Sequence, residues 1–122
     1  MVEARKIKNK LYDELHKRQK LNDPPQKGWD DLPEDIMQSA IKISHFFDYA
    51  GALVMHKLVK KEPIIGWIGG SVTEYWMLLS PFILRERENH FKYYQAYFEM
   101  LNNTALKYNQ ADIIKSLMNE KT

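Results

Sequence analysis

Ile36, Ala40, Ile43, Phe47, Ala50 and Val54 follow one another at alternating steps of four and three residues, and Met37, Ile41, Phe46 and Leu53 widen the same side. Steps of that kind return a side chain to one face of an α-helix, whereas a half-buried strand needs alternation at every second residue. A face this broad has to be covered, so the segment predicts a long helix at the centre of a core. Asp31, followed by Pro33 and Glu34, marks its start: the Asp side chain is placed to accept from free backbone donors, and acids suit the positive end of the helix dipole.

The same period recurs on either side. Residues 3 to 20 lack Gly and Pro, and Ala4, Ile7, Leu11 and Leu15 form a narrow stripe among charged neighbours, predicting a first helix that Asn22-Asp23-Pro24-Pro25 ends. After Lys60-Lys61-Glu62, Pro63 is suited to open a short helix closing at Gly69-Gly70, and Ser71 with Glu74 has the spacing of a capping box for the next. Val72, Tyr75, Trp76, Leu79, Phe82 and Ile83 line that helix, with a kink expected between Met77 and Pro81. Trp76 is expected at the centre of the core beside Phe47, Leu79 and Phe98. Phe91, Tyr94, Phe98, Leu101 and Ala105 continue the period, either directly or after a turn near Asn89-His90, and Ile113, Ile114, Leu117 and Met118 mark a last helix from about Asn109. No run alternates as a strand would. The expectation is an all-α, single-domain bundle of about five helices: a basic amphipathic helix over 1–22, a loop over 23–31 and a helical core over 32–122.

At 122 residues the chain has room for one core, and 44% hydrophobic with 12% aromatic residues exceeds what a disordered chain carries. The net charge of +2 is too small to imply a nucleic-acid partner. It is unevenly placed, since residues 1 to 20 hold seven Lys or Arg against three Asp or Glu. Cysteine is absent, which removes thiolate metal sites and a cysteine nucleophile. The longest apolar stretch, Pro63 to Leu84, contains Glu74 and two glycines, so no membrane span is expected, and the protein is read as cytoplasmic.

Candidate chemistry is sparse. His45 and Asp48 share a helix face, but His56 lies about 16 Å further along it, and no His-Glu-x-x-His supplies the converging ligands zinc requires. Gly66 to Ser71 lacks the preceding strand and following Lys of a phosphate loop, and reads as a helix end and tight turn. Arg85, Arg87 and Lys92 beside Phe91, Tyr93, Tyr94 and Tyr97 suggest a stacking platform for single strands, yet the helical spacing favours a packed face. Asp48, Glu74, Arg87 and Glu99 are candidates for ion pairs between helices. No catalytic residue, cofactor or metal site is expected.

Phe46-Phe47-Asp48, Trp76 with Leu79 and Pro81, Arg87, and Phe98-Glu99 with Leu101 together resemble the DUF4760 domain, an uncharacterised prokaryotic family, over about residues 43–102. The resemblance implies a helical fold and no known reaction. Family members often have Glu where this chain has Asp48, and many begin with a membrane helix where this one begins with a charged amphipathic one. The expected function is a non-enzymatic interaction or assembly module. Helix one, through Ile7, Leu11 and Leu15, would engage another copy or a protein partner, with Tyr93 and Tyr97 as a second contact surface. The alternative is peripheral membrane or nucleic-acid contact through the basic face of helix one, and a small enzyme of unknown reaction stands third.

Overall fold

The computed structural model describes residues 2–108 and 110–120, with side chains over 5–108 and 110–119. Among the described residues there are five helices and no strand: α1 (Val2–Leu21), α2 (Glu34–Met55), α3 (Lys61–Asn89), α4 (Ala96–Lys107) and α5 (Gln110–Glu120), with a single 3-10 turn at Trp29–Asp31. The expected start of the last helix at Asn109, and the side chain of Ala4, fall outside the described residues. At 29 residues, about 43 Å of helical rise, α3 is the axis on which the other helices pack. Its stripe of Ile65, Ile68, Val72, Tyr75, Leu79 and Phe82 is buried, and Phe47 of α2 and Phe98 of α4 close the core, with ring centroids 5.1 Å apart.

Gly69-Gly70 does not end a helix; α3 passes through both glycines and through Pro81, which withdraws one donor from the carbonyl a turn back. The glycines make room for α5. A Cβ on Gly66 would lie 3.1 Å from Ile113 Cγ2, and one on Gly70 would lie 3.0 Å from Gln110 Oε1. Ser71 is therefore mid-helix, and Glu74 turns to Lys8 Nζ of α1 at 2.8 Å instead of capping. Nor does Asp31 cap α2, because Pro33 holds Leu32 extended (φ −89°, ψ 148°) and α2 begins only at Glu34. Asp31 Oδ2 accepts from the backbone N–H groups of Gln26, Lys27 and Gly28 at 2.6–3.0 Å, tying the preceding loop into a turn.

Two burial expectations also change. Trp76 is half-buried at the edge of the core, because Tyr75 rather than Trp76 lies on the centre line of the α3 stripe. Its indole meets Phe98 edge-on at 5.1 Å and carries the Arg87 guanidinium 5.9 Å from its ring. Helix α1 is no detached arm: Leu11 is fully buried and Ile7 nearly so, in the same cluster as Phe47, Phe82 and Phe98. The loop expected to separate α1 from the rest folds back onto the bundle, with Trp29 stacked on Phe82 (6.2 Å, planes 9° apart) and the Pro25 carbonyl accepting from Arg85 Nε at 2.9 Å.

The tightest helix contact is between α2 and α4, where a Cβ on Gly51 would run into the backbone carbonyl of Tyr97. Alanine in a helix interior gains about 1 kcal/mol over glycine, but here it would force two backbones apart, and overpacking of that kind costs about 1–3 kcal/mol. Gly51→Ala is therefore expected to lower the urea midpoint. Gly70→Ala, which meets only the end of the Gln110 side chain, is expected to leave it unchanged or raise it. The reverse order would show that α2 and α4 are further apart than described.

Candidate functional site

Helix α4 begins from a turn at residues 90–95 that side chains of other elements hold in place. Gln95, its N-cap residue, is left-handed (φ 57°, ψ 31°) and offers no side-chain cap. The cap comes from α2, where Asp48 Oδ1 accepts from the Phe98 N–H at 3.0 Å and places a carboxylate at the positive end of the α4 dipole. Arg87, near the end of α3, donates through Nε to the Tyr94 carbonyl and through Nη1 to Glu99 Oε1, both at 2.7 Å. Trp29 links the loop to the same turn: its N–H donates to Glu86 Oε1 at 2.9 Å and its Nε1–H to the Tyr94 hydroxyl at 2.9 Å.

These contacts gather Phe47, Asp48, Trp76, Arg87, Phe98 and Glu99, scattered over fifty positions of sequence, into one cluster. Arg87–Glu99 and Glu74–Lys8 are ion pairs between helices, as the sequence suggested; Asp48 acts as a helix cap. The chemistry of the arrangement is positional: Asp48 and Arg87 Nε meet backbone groups at the start of α4, Arg87 Nη1 meets Glu99, and Arg87 Nη2 is buried with no partner among the described residues.

Beside the cluster opens a cleft of about 530 Å³ whose walls include Tyr93, Tyr97, Phe91, Met100, His45 and Asp48. Tyr93 and Tyr97, the aromatic pair singled out from sequence, both line it. The Tyr97 hydroxyl lies 2.7 Å from His56 Nε2, and Tyr93 packs edge-on against Phe91 at 5.9 Å beneath the Lys92 ammonium. Gln95 also lines the cleft; it is buried, and its Oε1 has no partner among the described residues. Ile7, Leu11 and Leu15 are elsewhere: the first two are committed to the chain's own core, and Leu15 packs half-buried against it. Helix one thus presents none of the three as a free apolar face, since the core beneath it takes up its narrow stripe.

Three of the seven basic residues of α1 are likewise engaged within the chain. Lys8 pairs with Glu74, which holds its ammonium above the usual 10.5; Lys10 pairs with Asp35 at 3.1 Å; Arg18 reaches Glu14 at 3.1 Å and the Asp31 carbonyl at 2.8 Å. Among the described residues no three His, Asp or Glu side chains gather as a metal site, and no helix is long and apolar enough to cross a membrane.

Sequence periodicity marked α5 as a helix without showing that one side of it would stay uncovered. Ile113 packs on Gly66 and Gln110 Nε2 donates to the Gly66 carbonyl at 3.0 Å, but Ile114, Leu117 and Met118 face outward. Phe91, expected on the packed stripe, is instead exposed, because it lies in the turn before α4 begins at Ala96; Met100, also exposed, is off that stripe.

A family model described as Domain of unknown function (DUF4760) matches residues 1–104, that is, α1 through most of α4. No curated protein and no solved structure matches the chain.

If Asp48 anchors the start of α4, Asp48→Ala should lower unfolding stability by about 0.5–2 kcal/mol, the range for loss of a helix N-cap. Asp48→Asn, which keeps an acceptor, should cost less. Equal stability of Asp48→Ala and the parent in a denaturant titration would remove Asp48 from this role.

Proposed function

Since the chain belongs to the DUF4760 family of domains of unknown function, we propose from its geometry that it is a non-enzymatic assembly module that associates with further copies of itself. The observation behind this reading is the exposure of two unlike apolar surfaces on one bundle. In the aromatic cleft Phe91, Tyr93 and Met100 are 59%, 63% and 44% exposed; on α5 Ile114, Leu117 and Met118 are 43%, 52% and 65% exposed. Clustered exposure of large apolar side chains is a mark of contact surfaces, and tyrosine is prominent among the residues that carry binding energy.

The two surfaces differ in shape. A cleft cannot fill another cleft, but a helix ridge at i, i+3 and i+4, the spacing of Ile114, Leu117 and Met118, can enter one. Seating α5 of one copy in the cleft of the next is a head-to-tail contact, in which every copy offers one ridge and one cleft.

Light scattering on the full chain at two salt concentrations is the test. Apolar association should persist at high salt, whereas a contact made by the basic face of α1 should weaken. Tyr93→Asp and Leu117→Asp should each be monomeric alone. Mixed, they should form a dimer, because an intact α5 from the first can still meet an intact cleft from the second. A monomeric parent protein at concentrations well above micromolar, or no dimer on mixing, would overturn the proposal.

A further inference from the structure

Away from the aromatic cleft, the end of α2, the start of α3 and the end of α4 enclose a second cleft of about 640 Å³. Lys57, Lys60, Lys61 and Lys107 line it, with Glu62 as the one carboxylate residue of the lining. Four cations against one anion leave three positive charges here, more than the +2 of the whole chain, so the remainder of the molecule is slightly negative. None of the four lysines forms an ion pair with a carboxylate among the described residues, whereas Lys8, Lys10, Arg18, Arg85 and Arg87 all do.

Lys57 is placed there at the expense of backbone comfort. Helix α2 ends in a Schellman turn, in which the Leu58 N–H donates to the Leu53 carbonyl at 2.9 Å and the Lys57 N–H to the Val54 carbonyl at 3.0 Å. The turn needs a left-handed residue, and Lys57 takes that conformation at φ 60°, where glycine would sit without strain. The backbone alone favours glycine at this position, as at Asn22 and Gln95, and Lys57 lines the cleft. Lys61 lies 4.6 Å from the centre of the Tyr108 ring, and Tyr108 raises its ammonium above the usual 10.5. The lining is apolar in part: Leu58 and Val59, between Lys57 and Lys60 in the chain, are exposed, and Val54 beside them is buried.

We infer that this cleft binds an organic phosphate, with Lys57, Lys60, Lys61 and Lys107 around the phosphate group and the apolar part of the molecule against Leu58 and Val59. Lysines that line one cleft without carboxylate partners favour an anion there, and a phosphate dianion is a compact anion able to answer several of them at once. The lack of a side-chain cap at Lys60 leaves the first donors of α3 turned to the same end.

The test is an amide-resolved NMR titration of the full chain with sodium pyrophosphate, alongside co-sedimentation with phosphatidylcholine vesicles with and without phosphatidic acid. Saturable shifts confined to residues 54–62 and 104–108 are expected, weakening as salt rises. Lys60→Gln and Lys107→Gln should each weaken binding by roughly tenfold, the loss of one charge-assisted contact. Lys57→Gly should weaken it while raising the thermal midpoint, a pairing that no loss of fold could mimic. Lys17→Gln, on α1, is the unchanged control. Sedimentation only with phosphatidic acid would identify the phosphate as a lipid headgroup, and pyrophosphate shifts without sedimentation would point to a soluble phosphate compound. Neither response, shifts spread evenly over the surface lysines, or undiminished binding by the lysine variants would overturn the inference.

Discussion

The close passage of α2 over the start of α4 is the constraint on which the rest of the bundle depends. Only a glycine at position 51 lets the backbone carbonyl of Tyr97 approach, and three residues earlier the Asp48 carboxylate receives the Phe98 N–H. One helix thereby supplies both the gap and the cap for another. The consequence is geometric: with α4 held at that distance, Phe98 and Leu101 reach the centre of the core, and Tyr93 and Tyr97 are left around a cleft. A looser contact would open the core beside Phe47, where packing density leaves little tolerance.

A second layer of order is polar and sits at the end of α3. Glu86, Arg87 and Arg85 point to three different partners, the Trp29 amide, the 90–95 turn and the Pro25 carbonyl. Each is a contact between a charged side chain and a backbone group, the kind that orients an irregular segment without requiring a helix or strand there. Together with Asp31, which gathers three amides, they turn the proline-containing loop into a strap that brings α1 back over α3. That is why a helix with a narrow apolar stripe is nevertheless part of the core: Leu11 and Ile7 need little width once the loop has fixed where they land.

What remains on the surface divides by chemistry. Aromatic and aliphatic groups are exposed around the α4 start and along α5, while uncompensated ammonium groups collect where α2 ends and α3 begins. Lys57 stands there in a left-handed turn where glycine would be unstrained.

The helical class was legible in the sequence, because a three-four period is a property of the chain itself: any backbone that satisfies its own hydrogen bonds locally will carry those side chains to one face. The burial of Phe47, Leu79, Phe98 and Leu101 and the kinship with the family could be read from residue types and spacing, while the break at Asn89-His90 was one of two readings that the spacing left open. Tyr93 and Tyr97 could be named as surface groups, but not the cleft that joins them. Tertiary structure alone decided that Gly69-Gly70 is a landing place for α5 rather than a turn, that Asp31 serves the loop before it rather than the helix after it, and that Tyr75 displaces Trp76 from the centre. It also decided that Ile7 and Leu11 face inward and that Lys107 joins Lys57, Lys60 and Lys61 around one cleft. The physical reason is common to all of these. Whether a glycine is a turn or a gap, whether a carboxylate caps one segment or another, and whether an apolar stripe is core or surface depend on what lies across from it, and that neighbour comes from elsewhere in the chain.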